Sequence, residues 1–113
     1  ADDELADLYN ACDIVCLPGR DGAVEDTVLE AWCAGKPVIV SRQTAPIFLR
    51  HGVDGVAVES AVGKLLRAIE ELLSDRENAL QIGHRAWERV NAEFSWEAVC
   101  EQLLRLYQGS KRI

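Results

Sequence analysis

Between Ile14 and Val40 the chain reads Ile14-Val15-Cys16-Leu17-Pro18-Gly19, a loop over residues 18–25, then Asp26-Thr27-Val28-Leu29-Glu30-Ala31-Trp32-Cys33-Ala34-Gly35 and Lys36-Pro37-Val38-Ile39-Val40. The apolar run 14–17, stopped by Pro-Gly, suits a strand covered on both faces better than a half-exposed one. Asp26 stands where it caps a helix running to Ala34. Gly35 takes the usual left-handed position after a helix end, and Pro37 follows it. Val38-Ile39-Val40 is a second short buried strand. Strand, helix, strand in this order predicts parallel pairing across a helical connection.

Working outward, Gly55-Val56-Ala57-Val58 reads as a third strand after the turn Gly52-Val53-Asp54-Gly55. Upstream, Leu5, Leu8 and Tyr9 stand at helical spacing behind Asp2 and Asp3, predicting a short helix over 3–11. From residue 60 onward the pattern is helical only. Val62, Leu65, Leu66, Ile69, Leu72 and Leu73 fall on one face. Ser74 and Glu77 have capping-box spacing, opening a helix with an apolar face of Leu80, Gly83, Ala86, Trp87, Val90 and Phe94, where Gly83 implies close packing. Ser95 announces a last helix, with Phe94 and Val99 as its staple and Trp96, Val99, Cys100, Leu103 and Tyr107 inward. The sum is an α/β fold, a three-layer Rossmann-like parallel sheet of about three strands with a helical C-terminal tail. A doubly wound nucleotide-binding domain has about five or six strands, so this chain reads as half of one.

The 113 residues form a single domain, 1–113, and 49% apolar with 27% charged residues are the proportions of a chain that folds. No apolar run approaches the roughly 18 residues of a membrane span, and no secretory signal is visible. Twelve basic against 19 acidic residues leave a formal charge of −7, which opposes nucleic-acid binding. Arg105, Lys111 and Arg112 read as a solvated tail. Cys12, Cys16, Cys33 and Cys100 show no metal-binding spacing and read as buried thiols of a reducing, cytoplasmic environment. His51 and His84 read as surface or turn histidines, and no metal site is legible.

In open parallel sheets ligands lie outside the carboxyl ends of the strands, so the loop after residue 17 and the helix behind it are where chemistry is expected. Glu30 is the only charge within Val28–Ala34, on a helix that reads as buried nearly all round. An ionised carboxylate costs several kcal/mol to desolvate without donors, so something must bond it. Its two accepting oxygens match a vicinal diol, as on a ribose, or a guanidinium fork, while an internal arginine or backbone amides would serve equally. Asp26 lies one turn earlier on the same face, a like-charge spacing that destabilises by about tenths of a kcal/mol.

The ordered set Leu5–Pro18, Val28-Leu29-Glu30-Ala31-Trp32-Cys33-Ala34-Gly35-Lys36-Pro37-Val38-Ile39, His51-Gly52-Val53-Asp54-Gly55, Leu72-Leu73-Ser74-Asp75 and Ala92-Glu93-Phe94-Ser95-Trp96-Glu97 resembles the C-terminal domain of GT-B-fold retaining glycosyltransferases, the "group 1" family, over essentially the whole chain. The resemblance implies a domain that holds a nucleotide-sugar donor against an acceptor bound to a preceding N-terminal domain, with retention and without a metal or other cofactor. The family's motif is two glutamates separated by seven residues, the second on the ribose hydroxyls and the first near the donor sugar. Glu30 matches the second. Position 22 is Gly22, and the adjacent Asp21 is the candidate for the first after a one-residue shift. The family's Gly-Phe-Gly reads Ala23-Val24-Glu25, so Gly22, Ala23, Val24 and Glu25 are the implied substrate-binding loop. Further on, Gln43 and Thr44 stand for a glycine pair and Ile47 for an acid, with Pro46 retained. The family's phosphate-gripping Arg and Lys, the first strands of the domain and the acceptor domain all precede this segment. The expectation is therefore that the chain alone does not transfer sugar, and that a bare sheet edge pairs with the absent part of its parent or with a second copy. Two other readings are a non-catalytic interaction or regulatory module with a decayed sugar site and a different doubly wound enzyme such as a sugar-nucleotide epimerase.

Overall fold

The elements run β1 (Val15–Leu17), α1 (Val24–Cys33), β2 (Val38–Ser41), β3 (Val56–Val58), α2 (Val62–Ser74) and α3 (Arg76–Glu93). They come from a computed structural model that describes residues 11–17, 24–93 and 104. The strands form one parallel sheet in the order β1-β2-β3, with Val15 opposite Val38 and Leu17 opposite Val40, then Ile39 opposite Val56 and Ser41 opposite Val58. The three expected strands and the α/β class are therefore present. The helix expected over 3–11 lies outside the described residues except for Ala11, and the one announced by Ser95 lies outside them except for Leu104.

Burial follows position in the sheet. β2, paired on both sides, is buried at every residue, whereas β1 is half-buried throughout rather than covered as its apolar run implied. Among the described residues only β2 pairs with it. On one face of the sheet Val38, Val40 and Ala57 pack with Val28, Leu29, Ala31 and Trp32 of α1, and on the other Ile39 packs with Ala68 and Leu72 of α2. These are the three layers that alternating strands and helices demand. α3 touches both cores, through Ala86 and Val90 on the α1 side and Ile82 on the α2 side.

Two glycines explain how α3 fits. Gly35 has φ +70°, the left-handed turn that ends α1, and Gly83 lies against it. A Cβ on Gly83 would stand 2.2 Å from the Gly35 carbonyl oxygen and 3.3 Å from Pro37 Cδ. The close packing read from Gly83 is thus an approach of α3 to the turn that leads into β2, at the end of the sheet where β2 begins.

Several helix assignments need correction. In α2 the inward stripe is Ala68 and Leu72, which are buried, with Leu65 and Ile69 half-buried beside them, while Val62, Leu66 and Leu73 are exposed. In α3 Gly83, Ala86 and Val90 are buried as expected and Ile82 joins them, while Leu80 and Trp87 are exposed and Phe94 lies outside the described residues. The residue capping α3 is Asp75, whose Oδ1 accepts from the Asn78 backbone N–H at 3.1 Å. Ser74 ends α2 instead, its hydroxyl donating to the Glu71 carbonyl. Cys12, Cys16 and Cys33 are half-buried, not buried, and burial pushes the Cys16 thiol up from its ordinary range.

His51 is exposed at a turn, as expected, and it also makes a specific bond. The Val58 carbonyl accepts from Arg42 N–H toward β2, so by the alternation of a parallel ladder the Ala57 N–H points to the outer edge of β3. There it donates to His51 Nδ1 at 3.0 Å, which covers that edge donor with a side chain.

Candidate functional site

The strands end at Leu17, Ser41 and Val58, and being parallel they present these carboxyl ends on one edge. Three connections leave from it: the loop into α1, the loop beginning Arg42-Gln43-Thr44, and Glu59-Ser60-Ala61 leading to α2.

α1 begins at Val24, two residues before the expected cap, so Asp26 lies in its first turn beside Glu25. Acidic side chains favour a helix start through its dipole. Burial nevertheless raises the Asp26 pKa, and Glu25 raises it further. The like charge that acts on Asp26 is Glu25. A carboxyl whose pKa is raised on folding favours the fold in its protonated form, so its penalty is absent well below the ordinary carboxylate range and present above it. Asp26→Asn is accordingly expected to raise stability at pH 7 by at most about 1 kcal/mol, because solvent screens a half-exposed group, and to change nothing near pH 3. Urea titrations at the two pH values read this out.

Glu30 lies one turn further along α1, between Leu29 and Ala31, which are both buried. The carboxylate residue itself is half-buried rather than enclosed, and it already interacts within the chain. Val24 is half-buried and Glu25 exposed, while Asp21, Gly22 and Ala23 lie outside the described residues.

At the end of β2 the buried Ser41 makes a tight turn. Its hydroxyl donates to Gln43 Oε1 at 2.6 Å, and its carbonyl accepts from Thr44 N–H at 3.1 Å. Gln43 is exposed, Thr44 half-buried and Pro46 buried, and Ile47, at the place of an acid, stands fully in solvent. α2 starts after Ala61, which offers no side-chain cap. Among the described residues no group of three or more His, Cys, Asp or Glu could hold a metal ion. A shallow hollow over Glu77, Leu80, Gln81, His84 and Arg85 lies on α3 and shares no residue with the strand ends.

One polar cluster escaped the sequence reading. Asp54 is fully buried, and its carboxylate accepts from Arg50 backbone N–H at 2.7 Å, Arg50 Nε at 2.9 Å and an Arg89 guanidinium nitrogen at 2.8 Å. Arg89 also donates to the Phe48 carbonyl and to Glu93, and it stacks 5.5 Å from the Trp32 ring centre. Burial opposes its charge, but hydrogen bonds and attraction from Glu93 and Asp54 prevail and raise its pKa. This cluster lies before β3, at the end of the sheet opposite the strand carboxyl ends.

Comparison with known proteins places this arrangement in a class. The profile of the family described as Glycosyl transferases group 1 matches residues 1–75, and the chain belongs to that family. It is 34% identical over 109 residues to the D-inositol 3-phosphate glycosyltransferase of Corynebacterium glutamicum (strain R), covering 95% of this chain and 26% of the relative. It is 32% identical over 118 residues to the GDP-mannose-dependent alpha-(1-6)-phosphatidylinositol monomannoside mannosyltransferase of Mycobacterium tuberculosis (strain ATCC 25618 / H37Rv), covering 96% of this chain and 31% of that one. The chain thus spans between a quarter and a third of these curated relatives. Among solved structures, sucrose-phosphate synthase from Thermosynechococcus elongatus superposes with a TM-score of 0.74 at 29% identity, over 96% of this chain and 28% of that one. Anabaena HepE in complex with UDP superposes at 0.67 with 22% identity, over 90% and 29% of the two chains. The fold is of the GT-B C-terminal-domain type. No helix among the described residues is long and apolar enough to cross a membrane.

Proposed function

We propose that residues 1–113 are the C-terminal part of the donor-binding domain of a cytoplasmic glycosyltransferase that transfers a sugar from a nucleotide-sugar with retention and without a metal. Glu30 accepts the two ribose hydroxyls, the segment Gly22-Ala23-Val24-Glu25 borders the donor, and Asp21 lies nearest the sugar. The observation that carries this reading is the position of Glu30. In a chain of this family, it is the one motif glutamate retained, on the helix that starts at the carboxyl edge of the sheet. A carboxylate offers two acceptors and no donor, which is the complement of a vicinal diol.

The same reading extends to partners. One donor on the outer edge of β3, the Ala57 N–H, is bonded to His51, and β1 has no second strand among the described residues. The preceding strands of the same protein belong on β1, and the acceptor domain beyond them supplies the second substrate. In their absence a second copy is the competing occupant of that edge.

The test is transfer by the intact protein from UDP-, GDP- and ADP-sugars, with Glu30→Gln beside the wild type. Hydrogen bonds to a charged acceptor contribute about 1.5–3 kcal/mol, so the variant is expected to lose about tenfold to a hundredfold in kcat/KM for the donor. Gly22, Gln43, Thr44 and Ile47 favour a second reading, a non-catalytic module of the same fold. Nucleotide binding by the intact protein without turnover of any sugar donor would support it.

A further inference from the structure

We infer that Arg89 is a positioning residue for the proposed donor site, acting through the two elements that carry it; the inference rests on the donor-site reading. Arg89 is on α3, and its guanidinium joins that helix to α1 and to the β2–β3 connection. One nitrogen donates to Asp54 Oδ2 at 2.8 Å and to the Phe48 carbonyl, and Nε donates to Glu93 Oε2 at 2.8 Å. The same plane lies 5.5 Å from the centre of the Trp32 ring. Phe48 meets that ring edge-on, with centres 5.4 Å apart at 76°.

The consequence is a clamp on both routes to the carboxyl edge. Trp32 is fully buried and stands two residues beyond Glu30 on α1, so the rotation of that helix about its axis is set where the indole meets Arg89 and Phe48. Phe48 and Asp54 belong to the β2–β3 connection, which begins with the Gln43-Thr44 turn; Phe48 is four residues beyond Thr44. Ala45, Phe48 and Leu49 pack on the same core as Trp32. A helix and a loop that meet a ligand at one end of the sheet are thus registered to each other at the opposite end by one side chain. Arginine suits this task because its planar fork reaches several acceptors and stacks on an aromatic face at once, which a lysine ammonium does not.

The experiment measures UDP, GDP and ADP affinity of the intact protein, as wild type, Glu30→Gln, Arg89→Lys and Arg89→Met, each well below its own unfolding midpoint. Hydrogen exchange over residues 24–33, 42–49 and 62–74 is followed in parallel. Both Arg89 variants are expected to bind the preferred nucleotide about threefold to thirtyfold more weakly, the range seen for coupling through intervening residues. Exchange should quicken in 24–33 and 42–49 but not in 62–74. Where Arg89→Met does not fold, Arg89→Lys, which keeps a cation beside Asp54, provides the reading. Unchanged affinity in a folded Arg89 variant, with Glu30→Gln weakened, overturns the positioning role and leaves the donor site standing. A wild type that binds none of the three nucleotides overturns the donor-site reading and this inference with it.

Discussion

Asp54→Ala is expected to cost about 3–5 kcal/mol of folding stability, the amount typical of breaking a buried ion pair by removing one partner. A domain of this size has about 5–15 kcal/mol in total, so the loss is a large share of it. The reasons are specific to the site. The Asp54 side chain is fully buried, and the Arg89 side chain is 14% exposed. Deleting the carboxylate leaves the guanidinium with Glu93, which is half in water, and the Phe48 carbonyl. Arg50 contributes less to the loss, since its side chain is 54% exposed and regains solvent. The backbone N–H of Arg50 loses its acceptor as well, and the turn that starts β3 loses its brace. Glu93→Gln is the control, expected to cost less than about 1 kcal/mol because that pair is at the surface. Denaturant unfolding of the intact protein measures both. Similar, small effects for the two variants would show that Asp54 is not the anchor.

The second large effect comes from adding one methyl group. Glycine inside a helix normally costs about 0.5–1 kcal/mol relative to alanine, so Gly83→Ala would stabilise α3 if space allowed. It does not. The new carbon would stand 2.2 Å from the Gly35 carbonyl oxygen, well inside van der Waals contact, and 3.1 Å from the carbonyl carbon behind it. Neither neighbour is a flexible side-chain end that swings away. Gly35 is held at φ +70° by the turn between α1 and β2, so α3 must lift from both cores it joins. Overpacking of this kind costs about 1–3 kcal/mol, and backbone on both sides puts Gly83→Ala at the upper end. Gly63 in α2 is the matched control, because a Cβ there meets nothing within 4 Å. Gly63→Ala is expected to leave stability unchanged or improve it by up to about 1 kcal/mol. Opposite signs for two glycine-to-alanine changes in helices of one protein would isolate the contact with Gly35.

The legible parts of this fold were those written in local sequence. Apolar runs bounded by Pro and Gly located all three strands to within a residue, because a buried strand has to be apolar and has to stop. Gly35 marked the end of α1 for the same local reason. The helix faces were less legible. Leu80, Trp87, Val62 and Leu73 satisfy a helical period as well as Ile82 or Ala68 do, and only the position of the neighbouring layers decides which arc turns inward. Capping was displaced by one residue for a similar reason: Ser74 with Glu77 and Asp75 with Asn78 have the same spacing, and the chain uses the second pair. Asp54 was illegible as a buried charge. It sits in a glycine-flanked turn that reads as solvent-exposed, and the arginine that makes its burial tolerable is 35 residues away in sequence. The expected site fared differently. Glu30 lies on the helix where its spacing put it, but it is half-buried, and α1 already begins at Val24, so Glu25, read as loop, and Asp26, read as the cap, both lie in its first turn.

The central claim is that Glu30 receives the ribose of a nucleotide-sugar, and nucleotide titration of the intact protein tests it most directly, with Glu30→Gln beside the wild type and each followed by calorimetry. Saturable binding of one among UDP, GDP and ADP is expected, weakened about tenfold to a hundredfold by the substitution and much less for the 2′-deoxy form of the same nucleotide, which has already lost one of the two hydroxyls. Equal affinity of wild type and Glu30→Gln for a nucleotide that both bind would contradict it.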